Sequence, residues 1–290
     1  MEKKDNMIIF LALLPAVGWG LMPVIAKINK GKPNEQLLGT AITALLFGII
    51  LQIILKSEFS GIVFFISFLS GILWSIGQYL QFYSFLDLHV SEAMPISNGT
   101  QLIGTSLMAA VFFDEWADIL SISLGILSLL IIVVGINLTS YHEKKEKRKI
   151  NWKPIFILLL SSASLTMYVV LPKFFSVSGS EIIFPQAIGM FTLALVLNLK
   201  RVKDINRKKV IKNMTTGLAW SIANTSLFIV MPILGIGRSF TISQLAVLVS
   251  LSVSLLIFKI EKTNKERIMI FIGATLTTIG ILLISLLKVS

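Results

Sequence analysis

The chain has 290 residues, 55% hydrophobic and only 14% charged, with a net charge of +11 and a mean hydropathy of +0.85. A water-soluble core could not hide that much apolar surface, so the soluble globular class is excluded. Cysteine is absent and the two histidines, His89 and His142, lack metal-ligand spacing, so no metal, cofactor or enzymatic constellation is expected.

Ten apolar runs follow one another at 7–26, 37–55, 61–86, 93–113, 119–139, 154–172, 182–199, 214–234, 239–258 and 268–287. None contains Asp, Glu, Lys or Arg, and each can cross a hydrocarbon core about 30 Å thick as a helix. The runs are continuous rather than alternating, which predicts an all-α polytopic membrane protein and not a barrel. The first run is too long for a signal peptide and carries Pro15 and Pro23.

Within the first run, Ala12, Ala16 and Gly20 form a small-residue stripe that admits a close neighbour, with Trp19 beside it. Trp74, Gln78, Gln81 and Phe85 of the third run fall on one helical stripe. Amides supply both donors and acceptors to a hydroxyl-rich ligand, and an indole offers an apolar plate to the C–H face of a sugar. In the fourth run Ser97, Asn98 and Gln101 follow Pro95, which removes a backbone donor, so unwound backbone is expected there. The sixth run carries Tyr168 four residues before Pro172, as Trp19 precedes Pro23. Trp220 and Asn224 of the eighth run repeat the spacing of Trp74 and Gln78, and the ninth holds a polar stretch from Ser239 to Gln244 with Thr241 in the place of Pro95.

These correspondences belong to an internal repeat. Glu35, Trp74 and Glu115 recur as Glu181, Trp220 and Glu261, every member displaced by 146 residues. Each copy holds five spans, an odd number, so the second copy lies inverted relative to the first. The expected organisation is a first five-helix repeat over 1–139, a charged cytoplasmic linker over 140–153 and a second repeat over 154–290. Two inverted halves around a midplane site are the architecture of a secondary transporter. Twenty of the 26 Lys and Arg fall in the odd-to-even connections and the linker, so both termini are expected outside the cell. The basic charge reads as topology and contact with anionic membrane lipids; neither nucleic acid nor a protein partner is indicated.

Leu14-Pro15-Ala16-Val17-Gly18-Trp19-Gly20, Trp74-Ser75-Ile76-Gly77-Gln78, Ala93-Met94-Pro95-Ile96-Ser97 with Gln101, and Glu115-Trp116 together resemble the bacterial glucose uptake proteins. These are the glucose/ribose porter family of the drug/metabolite transporter superfamily. The resemblance implies a ten-helix, two-repeat carrier that imports glucose or a related neutral sugar across the plasma membrane, commonly with protons. It also implies cavity-facing roles for Trp19, Trp74, Gln78, Pro95, Ser97 and Gln101. Patterning adds Gln81, Asn98, Tyr168, Trp220, Asn224, Thr241 and Gln244 to the expected substrate-binding set. Small multidrug members of that superfamily use a glutamate within the first helix; this chain has none there, which disfavours cationic-drug antiport. Proton coupling would have to use carboxylates at helix ends, with the symmetry mates Glu115 and Glu261 foremost. Carriage of an amino acid or a nucleotide-sugar is the alternative, and it should call for buried counter-charges that the runs lack.

Overall fold

The computed structural model describes residues 2–88, 90–116, 118–139, 141, 143, 152–177, 179–199, 202–259 and 261–286, without the side chains of 2–5, 90–92, 95, 202, 285 and 286. Eleven α-helices are described: α1 (Glu2–Asn29), α2 (Pro33–Leu55), α3 (Gly61–Ser84), α4 (Val90–Phe112), α5 (Ile119–Thr139), α6 (Trp152–Phe174), α7 (Ile183–Leu199), α8 (Arg207–Leu234), α9 (Ile236–Ser243), α10 (Ala246–Phe258) and α11 (Asn264–Leu286). No strand occurs among the described residues. The chain is a polytopic all-α membrane protein, with nine described stretches long and apolar enough to cross a bilayer. The fourth run, rich in Ser97, Asn98, Thr100 and Gln101, is not among those nine.

Helix ends overrun the apolar runs because capping residues and basic first turns are helical as well. Pro33 opens α2 and the Glu35 carboxylate returns to the Lys32 N–H at 2.8 Å. The Ser60 hydroxyl caps α3 through Val63 N–H, and the Asn206 side chain caps α8 through Lys209 N–H. Lys56 and Lys259 close α2 and α10 in the left-handed conformation.

The ninth span departs from the sequence expectation. It begins at Ile236, takes Arg238 into its first turns, and divides into α9 and α10 at Gln244–Leu245. The expected unwinding near Pro95 does not occur: α4 runs unbroken through that position. Pro95 sits only five residues into α4, where a missing N–H disturbs few backbone bonds.

The packing pairs α1 with α8 and the α9–α10 pair, α2 with α7 and α8, α3 with α6 and α7, α4 with α6 and α9, and α5 with α11. With α9–α10 counted as one span, adding five to every span number returns the same pairs. The register agrees in detail. A Cβ on Gly71 would run into the Gln186 carbonyl, and one on Gly217 into the Thr40 carbonyl; both residues of each contact are displaced by 146 from their counterparts. Such contacts let backbones approach where small residues replace side-chain volume. Hydroxyls then bridge the helices: Ser70 donates to the Tyr168 carbonyl at 2.6 Å, Ser75 to that of Met190 at 3.0 Å and Ser164 to that of Leu73 at 2.7 Å. Ile53, Phe65, Val111, Leu120, Phe156 and Phe271 remain exposed on the outer flanks, where lipid replaces water as the neighbour.

Candidate functional site

The inner faces of α1, α3, α4, α6, α8, α9 and α10 leave a central cavity. Part of its wall is the Trp74 and Trp220 pair, with ring centroids 4.8 Å apart and planes tilted by 55°. Nine of the thirteen expected binding residues line it: Trp19, Trp74, Gln78, Gln81, Asn98, Gln101, Tyr168, Trp220 and Gln244. No Asp, Glu, Lys or Arg is among the described lining residues.

The amides are ordered by a hydrogen-bonded relay. Gln78 Nε2 donates to Gln81 Oε1 at 2.9 Å, and Gln81 Nε2 donates to Ser97 Oγ at 2.8 Å. Gln101 Nε2 reaches the same Ser97 hydroxyl at 2.8 Å. Ser97 therefore stands behind the lining as a fully buried anchor that holds both amides in place. Two buried lining atoms have no hydrogen-bond partner among the described residues: the indole Nε1 of Trp220, a donor, and Gln244 Oε1, an acceptor. Both atoms can hydrogen-bond a group placed in the cavity, one as donor and one as acceptor.

Other expected residues do not meet the cavity. Asn224 donates to Gln186 Oε1 at 2.7 Å, and Gln186 donates to Ser70 Oγ at 2.7 Å, a chain that packs α8, α7 and α3 together. Thr241 turns its hydroxyl onto the Gly237 carbonyl of its own helix at 2.8 Å. The side chain of Pro95 lies outside the described residues. Phe240, Ser243, Met22, Met94 and Leu165 line the cavity without having been singled out as binding residues. The repeat could have found them: Trp19 with Leu165, Met22 with Tyr168, Met94 with Phe240 and Asn98 with Gln244 are all displaced by 146, as are the two tryptophans. The aromatic-before-proline match of Trp19 to Tyr168 uses a shift three residues longer, so it pairs residues that are not counterparts in this register.

Among the described residues, the cavity adjoins further spaces toward one face. It shares Pro23, Phe82 and Phe85 with a space of about 300 Å3, which in turn shares Gly31, Pro33 and Leu86 with one of about 600 Å3 between the α1–α2 and α7–α8 connections. At that face Glu35 is buried and structural, accepting from Lys32 N–H and, at 2.9 Å, from Asn206 N–H across to α8. Toward the opposite face the Phe174 ring packs against Phe112 at 5.3 Å and Phe113 at 5.0 Å, next to a separate space of about 210 Å3 lined by Lys173, Phe228 and Ile236. Beside it Glu115, buried in the α4–α5 connection, accepts from the amides of Ile236 and Gly237. Burial lifts the Glu115 carboxyl above the usual carboxylate range, while those two amides and the charges of Lys173 and Arg238 pull it back. Glu261, its counterpart in the repeat, is exposed in the connection after α10.

A multi-pass helical membrane protein built around a cavity whose described lining is indoles, amides and other uncharged side chains is the class these features define. The sugar transport protein family matches residues 10–287. A Listeria monocytogenes protein named "Putative sugar uptake protein lmo0424" is 44% identical over 283 residues, 97% of this chain and 99% of that one. The "Glucose uptake protein GlcU" of Bacillus subtilis is 39% identical over 272 residues, 92% and 94% of the two chains. A crystal structure 12% identical in sequence superposes with a TM-score of 0.77 over 97% of this chain and 99% of its own, which shows the fold. The chain belongs to the sugar transport protein family.

Proposed function

We propose that this protein imports a neutral sugar, glucose foremost, across the plasma membrane of a bacterium by alternating access. The halves 1–139 and 154–290 act as inverted repeats joined by the linker 140–153, with both termini outside. In that orientation the cavity described above opens toward the cytoplasm. The observation that carries the reading is the described lining: indoles and neutral amides, no charge among the described residues, and one unpaired donor and one unpaired acceptor at Trp220 and Gln244. Sugar hydroxyls both donate and accept, and the apolar C–H face of the ring suits an indole plate. An amino acid or a nucleotide-sugar would bring charges that this lining leaves uncompensated. The relatives named for sugar and glucose uptake support the same substrate class.

No described carboxylate lines the cavity, so uptake is facilitated or only loosely linked to protons. Counterflow of radiolabelled glucose in proteoliposomes tests the assignment, with ribose, rhamnose and amino acids as competitors. Glucose flux inhibited by sugars and not by amino acids is expected. Strong flux of another solute without glucose flux would overturn it. Sugar-driven proton uptake that is lost in Glu115→Gln would overturn the loose linkage while leaving the substrate standing.

A further inference from the structure

The N-terminus of α9 is held by a side chain from the other half of the molecule. Glu115 Oε1 accepts from Ile236 N–H at 2.5 Å and Oε2 from Gly237 N–H at 2.8 Å. These are the first two amides of α9, which have no partner within their own helix. Glycine at 235 and 237 makes the approach possible, since a Cβ at either position would stand only 3.0 Å from the carboxylate. The contact lies on the face opposite the spaces that adjoin the central cavity.

The 146-residue displacement carries this contact to a second place. Glu115 maps on Glu261, and the amides of Ile236 and Gly237 map on those of residues 90 and 91, the first two of α4. Glu261 lies at the end of the molecule marked by Lys27, whose ammonium sits 4.4 Å over the Phe258 ring and which lines the space leading out of the cavity. At that face the Glu261 residue is exposed. Thus the face away from the adjoining spaces has its glutamate buried on a helix N-terminus, and the face that bears them has its glutamate in solvent.

We infer that Glu115 and Glu261 are reciprocal gate latches: Glu115 on α9 holds one face closed, and Glu261 takes the first amides of α4 when the opposite face closes. The inference rests on the alternating-access reading, but its test needs no sugar, so the two can fail separately. Ser243 lines the cavity and the chain is free of cysteine, so Ser243→Cys gives a single reporter. A membrane-impermeant methanethiosulfonate is applied from each face in turn, with Glu58→Cys in the α2–α3 connection marking the face of Glu115. The readout is the ratio of labelling rates from the two faces. Glu115→Ala, or Gly237→Pro, which deletes one of the two amides, shifts the ratio toward the Glu115 face by about tenfold. Glu261→Ala shifts it in the opposite direction. Misfolding cannot produce shifts of opposite sign. An unchanged ratio in Glu261→Ala, or a shift of the same sign as in Glu115→Ala, overturns the inference; so does an unchanged ratio in both Glu115→Ala and Gly237→Pro.

Discussion

Trp74 and Trp220, 146 residues apart in the chain, meet with ring centroids 4.8 Å apart on the wall of the central cavity. The Trp220 Nε1–H has no partner among the described residues, so it is available to a hydroxyl. Trp220→Phe keeps a ring in the contact and deletes the donor. Sugar affinity should fall by about 0.5–1.5 kcal/mol, or roughly twofold to tenfold, with the thermal stability of the purified protein little changed. Competition counterflow measures the first quantity and a melting curve in detergent the second.

Gln78 presents its amide to the cavity and spends one N–H on Gln81. Gln78→Ala should weaken sugar binding by a similar one-bond amount, about 0.5–1.5 kcal/mol, and leave the protein folded. Ser97→Ala acts differently, because it removes the anchor of both Gln81 and Gln101. It should cost more affinity than Gln78→Ala although Ser97 does not line the cavity. Equal affinity in Ser97→Ala and the parent protein would show that the relay does not order the amides.

Asn224 separates packing from binding. Asn224→Ala strips Gln186 of a buried partner, which should cost about 1–3 kcal/mol of stability. Sugar affinity in the surviving protein should stay at the parent value, since Asn224 is not among the cavity-lining residues. A loss of affinity with an unchanged melting temperature would return Asn224 to the binding site.

Gly71 and Gly217 occupy corresponding contacts against the Gln186 and Thr40 carbonyls. Alanine at either position forces packed helices apart and should cost about 1–3 kcal/mol, seen as a lower melting temperature. Gly99→Ala is the control: the space around its Cβ position is open, so alanine should be neutral or mildly stabilising there.

Closing the face at Glu115 buries a carboxyl whose pKa is then raised by desolvation, against the opposing pull of the Gly237 and Ile236 amides, Lys173 and Arg238. A raised pKa in the closed state means that closure takes up a proton. The closed form is therefore favoured most at low pH, and closure weakens as the pH rises through the raised value. The labelling ratio of Ser243→Cys measured across the acid-to-neutral range should show this trend, and Glu115→Gln should abolish it.

The all-helical class and nine of the ten runs as membrane-crossing stretches were legible because run length and the absence of charge are local properties of the chain. Most of the cavity lining was legible as well, since Trp74, Gln78 and Gln81 share one helical stripe whatever packs against it. Asn224 and Thr241 share the patterning of true lining residues, and only their neighbours show otherwise. For Asn224 a glutamine on α7 captures the amide; for Thr241 the carbonyl one turn earlier captures the hydroxyl. Glu35 is a similar case, a helix-end acid whose structural work across to Asn206 depends on a partner 171 residues away.

The sequence alone determined that the chain repeats itself with a displacement of 146, and hence which residues are counterparts. It could not say that the counterparts differ in state. Glu115 is buried on α9 while Glu261 is exposed, and the ninth span is broken at Gln244 while α4 is continuous. Those differences are set by contacts between residues far apart in the chain, such as Glu115 with the Ile236 and Gly237 amides, so they reside in the tertiary structure and in neither copy of the repeat.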